Sequence, residues 1–126
     1  MREAVQTPDA PAAIGPYSQA VRAGSFLFIS GQIPLDPRSG QVTAGNIGAQ
    51  THLVMRSLGA ILEAAGASYD RVVRTTVFLT DLADFEEFNE AYGGYFKGSA
   101  PARATVQVAA LPKGVSVEID AIAHLA

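Results

Sequence analysis

Residues 115–123, with the sequence VSVEIDAIA, are predicted to form the last β-strand of a sheet. Successive side chains of a strand point to opposite faces, so the strand has two different sides. One side is apolar and can pack on helices: Val117, Ile119 and Ala121. The other side is mixed: Glu118, Asp120 and Ile122. This mixed side also needs a cover, which the sheets of neighbouring subunits could supply.

The rest of the chain supplies a hairpin, two helices and two further strands. Residues 7–16 contain three prolines and are predicted to form an ordered entry arm rather than a helix. The elements predicted after this arm are strands over 17–23 and 26–29, a helix over 47–65, a strand over 72–80, a helix ending near Gly93, and a strand over 103–108.

Both helices carry predicted start signals. Asn46 can cap the first helix, and Asp84 followed by Glu87 resembles a capping box at the start of the second. One face of the second helix is predicted to carry Phe85, Phe88, Ala91 and Tyr92. The resulting order is β-β-α-β-α-β-β, which predicts a single two-layer α+β domain over residues 1–126, with a mixed sheet and two helices on one face.

The composition favours self-association. Hydrophobic residues make up 48% of the 126 residues and charged residues only 17%, against a usual charged share of about 25%. A small domain leaves much of its surface exposed, and this chain has little charge with which to cover it. We therefore expect a homo-oligomer, with ligand clefts where subunit edges meet.

Several classes of function are disfavoured. A net charge of −3 with nine scattered basic residues does not form the basic stripe that nucleic acid requires. The chain has no cysteine, and His52 and His124 lack ligand spacing, so no metal or cofactor is expected. No membrane-spanning run or signal peptide is apparent, and the cytoplasm is the predicted location.

Arg103 and Glu118 are the residues most suited to chemistry. A guanidinium at the start of a strand matches a carboxylate, although most arginines are ordinary surface or ion-pair residues. A carboxylate in an apolar strand faces water, pairs with a cation such as Arg103, or does acid–base work in a cleft. Tyr17, Ser30 and Asn89 are further polar candidates, and each could equally be an ordinary hydrogen-bonding or solvent-facing residue.

Several short motifs, in order along nearly the whole chain, resemble the RidA/YjgF family of reactive-intermediate deaminases. They are AAIGPYSQA at 12–20, ISGQIP at 29–34, EAAG at 63–66, TTVFL at 75–79 followed by Asp81-Leu82, PAR at 101–103, ALPK at 110–113 and VEIDA at 117–121. The resemblance implies a chorismate-mutase-like fold and a homotrimer whose sheets line a central barrel, with three clefts between subunits.

The resemblance also implies an activity and a site. The activity is hydrolysis of 2-enamine and 2-imino acids (2-aminoacrylate, 2-iminopropanoate and 2-iminobutanoate) to 2-keto acids and ammonia, without a cofactor. Arg103 would hold the substrate carboxylate and Glu118 would orient the attacking water. The implied pocket residues are Tyr17, Ser30, Gly31, Asn89 and Thr105, which stands where relatives often have cysteine.

Two other functions stay open at the level of the sequence. One is a non-catalytic regulatory trimer that binds small carboxylates, and the presence of both Arg103 and Glu118 favours the enzyme over it. The other is a chaperone-like protein, for which we would expect exposed apolar patches instead of a polar cleft.

Overall fold

A computed structural model describes residues 1–126 as one six-stranded sheet covered on one side by two α-helices. The strands are β1 (Glu3–Val5), β2 (Ala20–Ala23), β3 (Phe26–Gln32), β4 (Val72–Leu79), β5 (Ala102–Gln107) and β6 (Val117–His124). The helices are α1 (Ile47–Ala64) and α2 (Phe85–Gly93). The strand order is β1-β2-β3-β6-β4-β5, and only the β4–β5 pair is parallel. The predicted α+β fold with a mixed sheet is confirmed.

The beginning of the chain differs from the prediction in two ways. Residues 3–5 form an extra edge strand, which three residues are too few to reveal by alternation, and it pairs with β2. The hairpin strand begins at Ala20 instead of Tyr17. The reason is that Gly15, with φ of 121°, places a bend before Tyr17, and the segment is still irregular at Ser18.

The two helix starts turn out differently. Asn46 caps α1 as predicted, since its side-chain oxygen accepts a hydrogen bond from the Ala49 amide at 2.9 Å. The predicted capping box of α2 is wrong, because the Asp84 side chain makes no capping hydrogen bond. Glu87 instead accepts from the Gly48 amide of α1 at 3.3 Å, so its carboxylate joins the two helices.

The hydrophobic core lies between the helices and one face of the sheet. On the sheet side its fully buried members include Leu27, Val77, Leu79, Val117 and Ile119, and on the helix side Val54, Leu58, Ile61, Leu62 and Phe88. The alternation in the last strand is therefore confirmed, because its apolar side faces α1 and α2.

The opposite face of the sheet exposes several large apolar side chains and has no cover within the chain. Phe26, Phe28 and Val106 are 41%, 45% and 42% exposed, and Ile122 lies beside Phe28 in the sheet. Phe26, Phe28 and Ile122 form an apolar cluster at one end of this face, which also carries Glu118, and such a cluster is typical of a surface that meets another protein. No helix of the chain is both long and apolar enough to cross a membrane.

Candidate functional site

Arg103 lies on the helix side of the sheet, in the edge strand β5. It is level with the buried Thr75 of β4, and this register turns its side chain towards α2. The guanidinium donates to the side-chain oxygen of Asn89 at 2.8 Å. Its central carbon lies 5.5 Å, 5.8 Å and 5.1 Å from the ring centroids of Phe85, Phe88 and Tyr92.

The aromatic rings hold the Arg103 guanidinium without neutralising it. Ring faces attract a cation, yet they accept none of its hydrogen bonds in the way a carboxylate would. The one ion pair within the chain joins Arg22 to Glu3, and Asn89 is the sole hydrogen-bond partner of Arg103. A guanidinium has five N–H donors in a planar fork, so Arg103 retains free donors for a planar anion.

A cavity of about 480 Å³ opens beside this guanidinium. Its lining combines polar and aromatic residues: Asn89, Tyr92, Gly93, Phe96, Ala100, Pro101 and Arg103. The Tyr92 hydroxyl is 2.7 Å from the Thr75 hydroxyl, and burial raises the pKa of Tyr92. The phenol therefore stays neutral and serves as part of the wall.

Glu118 lies on the other side of the sheet, since it is level with Phe78 in β4 and alternates with the buried Val117 and Ile119. Burial raises the pKa of the Glu118 carboxyl, and the negative charge of Asp120 raises it further. No group of the chain donates a hydrogen bond to this carboxylate. An accessible carboxylate with a raised pKa is a candidate for proton transfer to and from a substrate.

Gly31 makes room for the Glu118 carboxylate. It lies in the irregular part of β3, where the pairing with β6 shifts between Ile29 and Gln32. A methyl group built on Gly31 would overlap the Glu118 carboxylate. A larger residue at Gly31 would therefore have to displace the Glu118 carboxylate, so glycine permits this close approach and is not needed for an unusual backbone angle.

Tyr17, Gly31 and Glu118 line a second cavity, of about 370 Å³. The rest of its wall comes from the entry arm, β3 and the turn before β6, and includes Ile14, Gln32 and Lys113. Ser30 is beside this cavity without lining it, because its hydroxyl donates to the Ser18 carbonyl at 2.6 Å. Thr105 lies two residues from Arg103 on the same side of β5, and its buried hydroxyl has no partner.

The predicted site residues thus form two groups within one chain. Arg103 and Asn89 are in contact at the first cavity, whereas Tyr17, Gly31 and Glu118 meet at the second. An Arg103–Glu118 ion pair does not form within one chain, because the two side chains lie on opposite sides of the sheet. Sequence reasoning missed the rings around Arg103, although Phe85, Phe88, Asn89 and Tyr92 share one helical stripe.

The fold and these two cavities define a class: a two-layer α+β domain that presents one unneutralised arginine and one accessible glutamate from opposite sides of a mixed sheet. The chain belongs to the family described as Endoribonuclease L-PSP, the YjgF/RidA family, which matches residues 7–125. The family resemblance inferred from the motifs is therefore confirmed.

Three relatives illustrate the similarity. A 2-iminobutanoate/2-iminopropanoate deaminase from Mus musculus is 53% identical over 123 residues, which covers 98% of this chain and 91% of that protein. RidA from the Antarctic bacterium Psychrobacter sp. PAMC 21119 superposes with a TM-score of 0.93 at 48% identity, over 97% of this chain and 98% of that one. E. coli TdcF, solved with bound serine, gives 0.94 at 44% identity, over 98% and 99%.

Proposed function

We propose that this chain is an imine deaminase that hydrolyses 2-iminobutanoate and 2-iminopropanoate, and the enamines that tautomerise to them, to 2-keto acids and ammonia. The proposal rests mainly on the Arg103 guanidinium. It faces a cavity, has no acidic partner within the chain and retains N–H donors that are not hydrogen-bonded. The mouse deaminase at 53% identity and the serine bound to TdcF support a small substrate that bears a carboxylate.

The site is completed between subunits of a homotrimer. Proteins of this family fold are typically oligomeric, and the apolar face of the sheet needs a cover. One chain cannot bring Arg103 to Glu118, because the sheet separates them. Two chains can, when the first cavity of one subunit meets the second cavity of its neighbour. Arg103 then binds the substrate carboxylate while Glu118 of the adjacent subunit reaches the imine carbon.

The chemistry needs no group beyond these side chains and water. Glu118 accepts a proton from a water molecule as the water oxygen bonds to the carbon of the protonated imine, and the C=N π electrons move to nitrogen. The proton returned by Glu118 converts the nitrogen of the resulting carbinolamine to a leaving group. Ammonia departs as the carbinolamine hydroxyl gives its proton to Glu118 and the C=O bond of the keto acid forms. Because an imine is already electrophilic, orientation by Arg103 and one general base are sufficient.

The test supplies the unstable substrate in place. A threonine or serine dehydratase generates the imine, and semicarbazide traps whatever imine escapes, while keto acid and ammonia are followed. We expect the protein to speed release of keto acid and to lower the yield of semicarbazone. Release unchanged by the protein, at concentrations far above the dehydratase, would contradict the proposed function.

A trimer is the expected state in solution. Burial of the exposed Phe26, Phe28 and Val106 side chains removes apolar surface from water, which is the dominant favourable term in association. Sedimentation equilibrium at micromolar concentration should therefore give three times the chain mass of 13.1 kDa. A stable monomer would contradict the trimer and the composite site together.

The pH dependence of deamination should report the environment of Glu118. Glu118 must be deprotonated to act as a base, so kcat/KM should fall as the pH drops below its raised pKa. Asp120→Asn removes one cause of that rise, and the acidic limb should move to lower pH. The exposed Glu63, replaced by Gln, is the matched control and should leave the profile in place. An unshifted limb in Asp120→Asn would show that another group governs it.

One observation favours a second function. The apolar sheet face matches the surface that a chaperone-like protein would use, if it were free. A stable trimer removes that surface, so the sedimentation experiment also separates the two functions. A non-catalytic carboxylate-binding trimer would bind a keto acid but fail the coupled assay. The cytoplasmic location stays a prediction, which cell fractionation would test.

A further inference from the structure

The side chain of Gln19 organises the entry arm. It is 4% exposed and lies immediately before β2. Its carbonyl oxygen accepts from the Thr7 amide at 2.7 Å. Its amide nitrogen is within 3.1 Å, 3.2 Å and 2.8 Å of the carbonyl oxygens of Thr7, Ala10 and Pro11. One buried amide thus serves four backbone groups of the arm.

Ala10 is buried in the hydrophobic core, but the arm has few other hydrogen bonds to hold it. Residues 6–14 take part in no backbone–backbone hydrogen bond, and their other bonds are exposed contacts at Asp9 and Ile14. Buried backbone groups need partners, and a side chain that supplies several at once fixes the path of a segment without secondary structure. The position of the arm therefore depends on Gln19.

Gln19 is itself tied to the strand that carries Gly31. The Ser30 amide donates to the Gln19 carbonyl at 3.0 Å, and the Ser30 hydroxyl donates to the Ser18 carbonyl at 2.6 Å. The bonds run from the arm through Gln19 to the irregular end of β3. They meet the sheet where the Glu118 carboxylate contacts Gly31.

The arm in turn forms part of the wall of the Glu118 cavity. Pro11, Ala12 and Ile14 line it together with Tyr17. The Ile14 amide donates to the Tyr17 hydroxyl at 3.3 Å, so the phenol follows the arm. If the arm moves, both the apolar wall and the Tyr17 hydroxyl move relative to Glu118.

We propose that Gln19 is a positioning residue of the deaminase site, which holds the entry arm, and with it Tyr17, against the cavity of Glu118. This inference rests on the proposed function and deepens it. Gln19 itself lies in the wall of the Glu118 cavity but is not proposed to contact a reacting atom. It acts on the reaction by keeping the wall of the cavity in register with the base.

Two substitutions of similar volume test the role. Gln19→Met removes all four side-chain hydrogen bonds. Gln19→Glu keeps the oxygen that accepts from the Thr7 amide, but it replaces the NH2 group that faces three carbonyl oxygens with a second carboxylate oxygen. Misplacement by about 1 Å can cost roughly a hundredfold in rate, so we expect kcat/KM to fall by about ten- to a hundredfold in both. Protonation of the new carboxyl in Gln19→Glu restores one hydrogen-bond donor. The ratio of its kcat/KM to that of wild type should therefore rise at lower pH, whereas the same ratio for Gln19→Met should not change.

The accompanying measurement is amide hydrogen exchange of the intact assembly. The Ile14 amide should exchange faster in both variants and the Thr7 amide fastest in Gln19→Met, which lacks its acceptor, while α1 keeps its protection. Thr51→Val is the matched control. It removes the buried hydrogen bond from the Thr51 hydroxyl to the Ile47 carbonyl in α1, 2.7 Å long. It should lower thermal stability without changing arm exchange or kcat/KM.

Two results would overturn the inference: arm exchange equal to wild type in folded Gln19→Met, or faster exchange with unchanged kcat/KM. If Gln19→Met does not assemble, the pH dependence and arm exchange of Gln19→Glu decide in the same way. Failure of the proposed function is read separately, on the unsubstituted protein. A wild type without deaminase activity would refute that function, whatever the exchange data show about the arm.

Discussion

Arg103→Ala is expected to reduce kcat/KM for imine hydrolysis by tens- to several-thousand-fold while the assembly stays folded. The guanidinium makes a single hydrogen bond within the chain, to Asn89, so its free donors are available to the substrate carboxylate. Loss of a charge-assisted bidentate contact in a cleft costs about 2–5 kcal/mol, which corresponds to that range of rates. Steady-state kinetics in the dehydratase-coupled assay measures the loss.

Two further variants locate the effect at this guanidinium. Arg103→Lys should restore only part of the activity, because an ammonium keeps the charge but lacks the planar fork. Arg56→Ala removes an exposed arginine from the outer face of α1 and should behave like wild type. A folded Arg103→Ala assembly with near-wild-type deamination would contradict the assignment of the carboxylate site.

Glu118→Gln is expected to lower kcat by roughly a hundredfold or more, the usual contribution of a positioned general base. The amide has nearly the same size, so the cavity is preserved and a 2-keto acid product should bind almost as well as before. The comparison therefore needs two numbers from one preparation: kcat from the coupled assay and Kd of 2-ketobutyrate by calorimetry. Equal loss in both would indicate a binding role instead of a base.

Thermal stability should move in the opposite direction from activity. The pKa of Glu118 is raised in the folded chain, mainly by burial, so the folded state binds this proton more tightly than the unfolded chain does. Its contribution to stability is present at low pH and is lost as the pH rises through the folded pKa. At neutral pH Glu118→Gln should therefore melt no lower than wild type, and a clear drop in Tm would indicate a bracing role.

Local patterns in the sequence were sufficient to predict most of the fold. Short-range preferences explain the alternation in residues 115–123, the Asn46 cap and the β-branched run at 72–80, and the structure contains a strand or a cap at each of them. The errors lie where distant partners decide. Glu87 caps the neighbouring helix instead of its own, and residues 3–5 become a strand only because β2 offers them an edge.

The candidate site was less predictable because its parts come from different elements. Motifs could identify Arg103 and Glu118, but only the register of β5 and β6 against β4 places them on opposite sides of the sheet. The aromatic rings around Arg103 and the hydrogen bonds of the Gln19 side chain are contacts between segments that are separated in the chain. The close approach of the Glu118 carboxylate to Gly31 is likewise a contact between distant segments, which the sequence around Gly31 does not reveal.

Imine hydrolysis at a site shared by two subunits is tested most directly by complementation between two inactive variants. The purified Arg103→Ala and Glu118→Gln proteins are denatured, mixed in equal amounts and refolded together. Each variant refolded alone is the control. If one subunit supplies Arg103 and its neighbour supplies Glu118, random mixing leaves about a quarter of the sites with both residues intact. Deamination by the mixture is therefore expected at about a quarter of the wild-type rate. Mixed assemblies, verified by mass, that are no more active than either variant alone would contradict it.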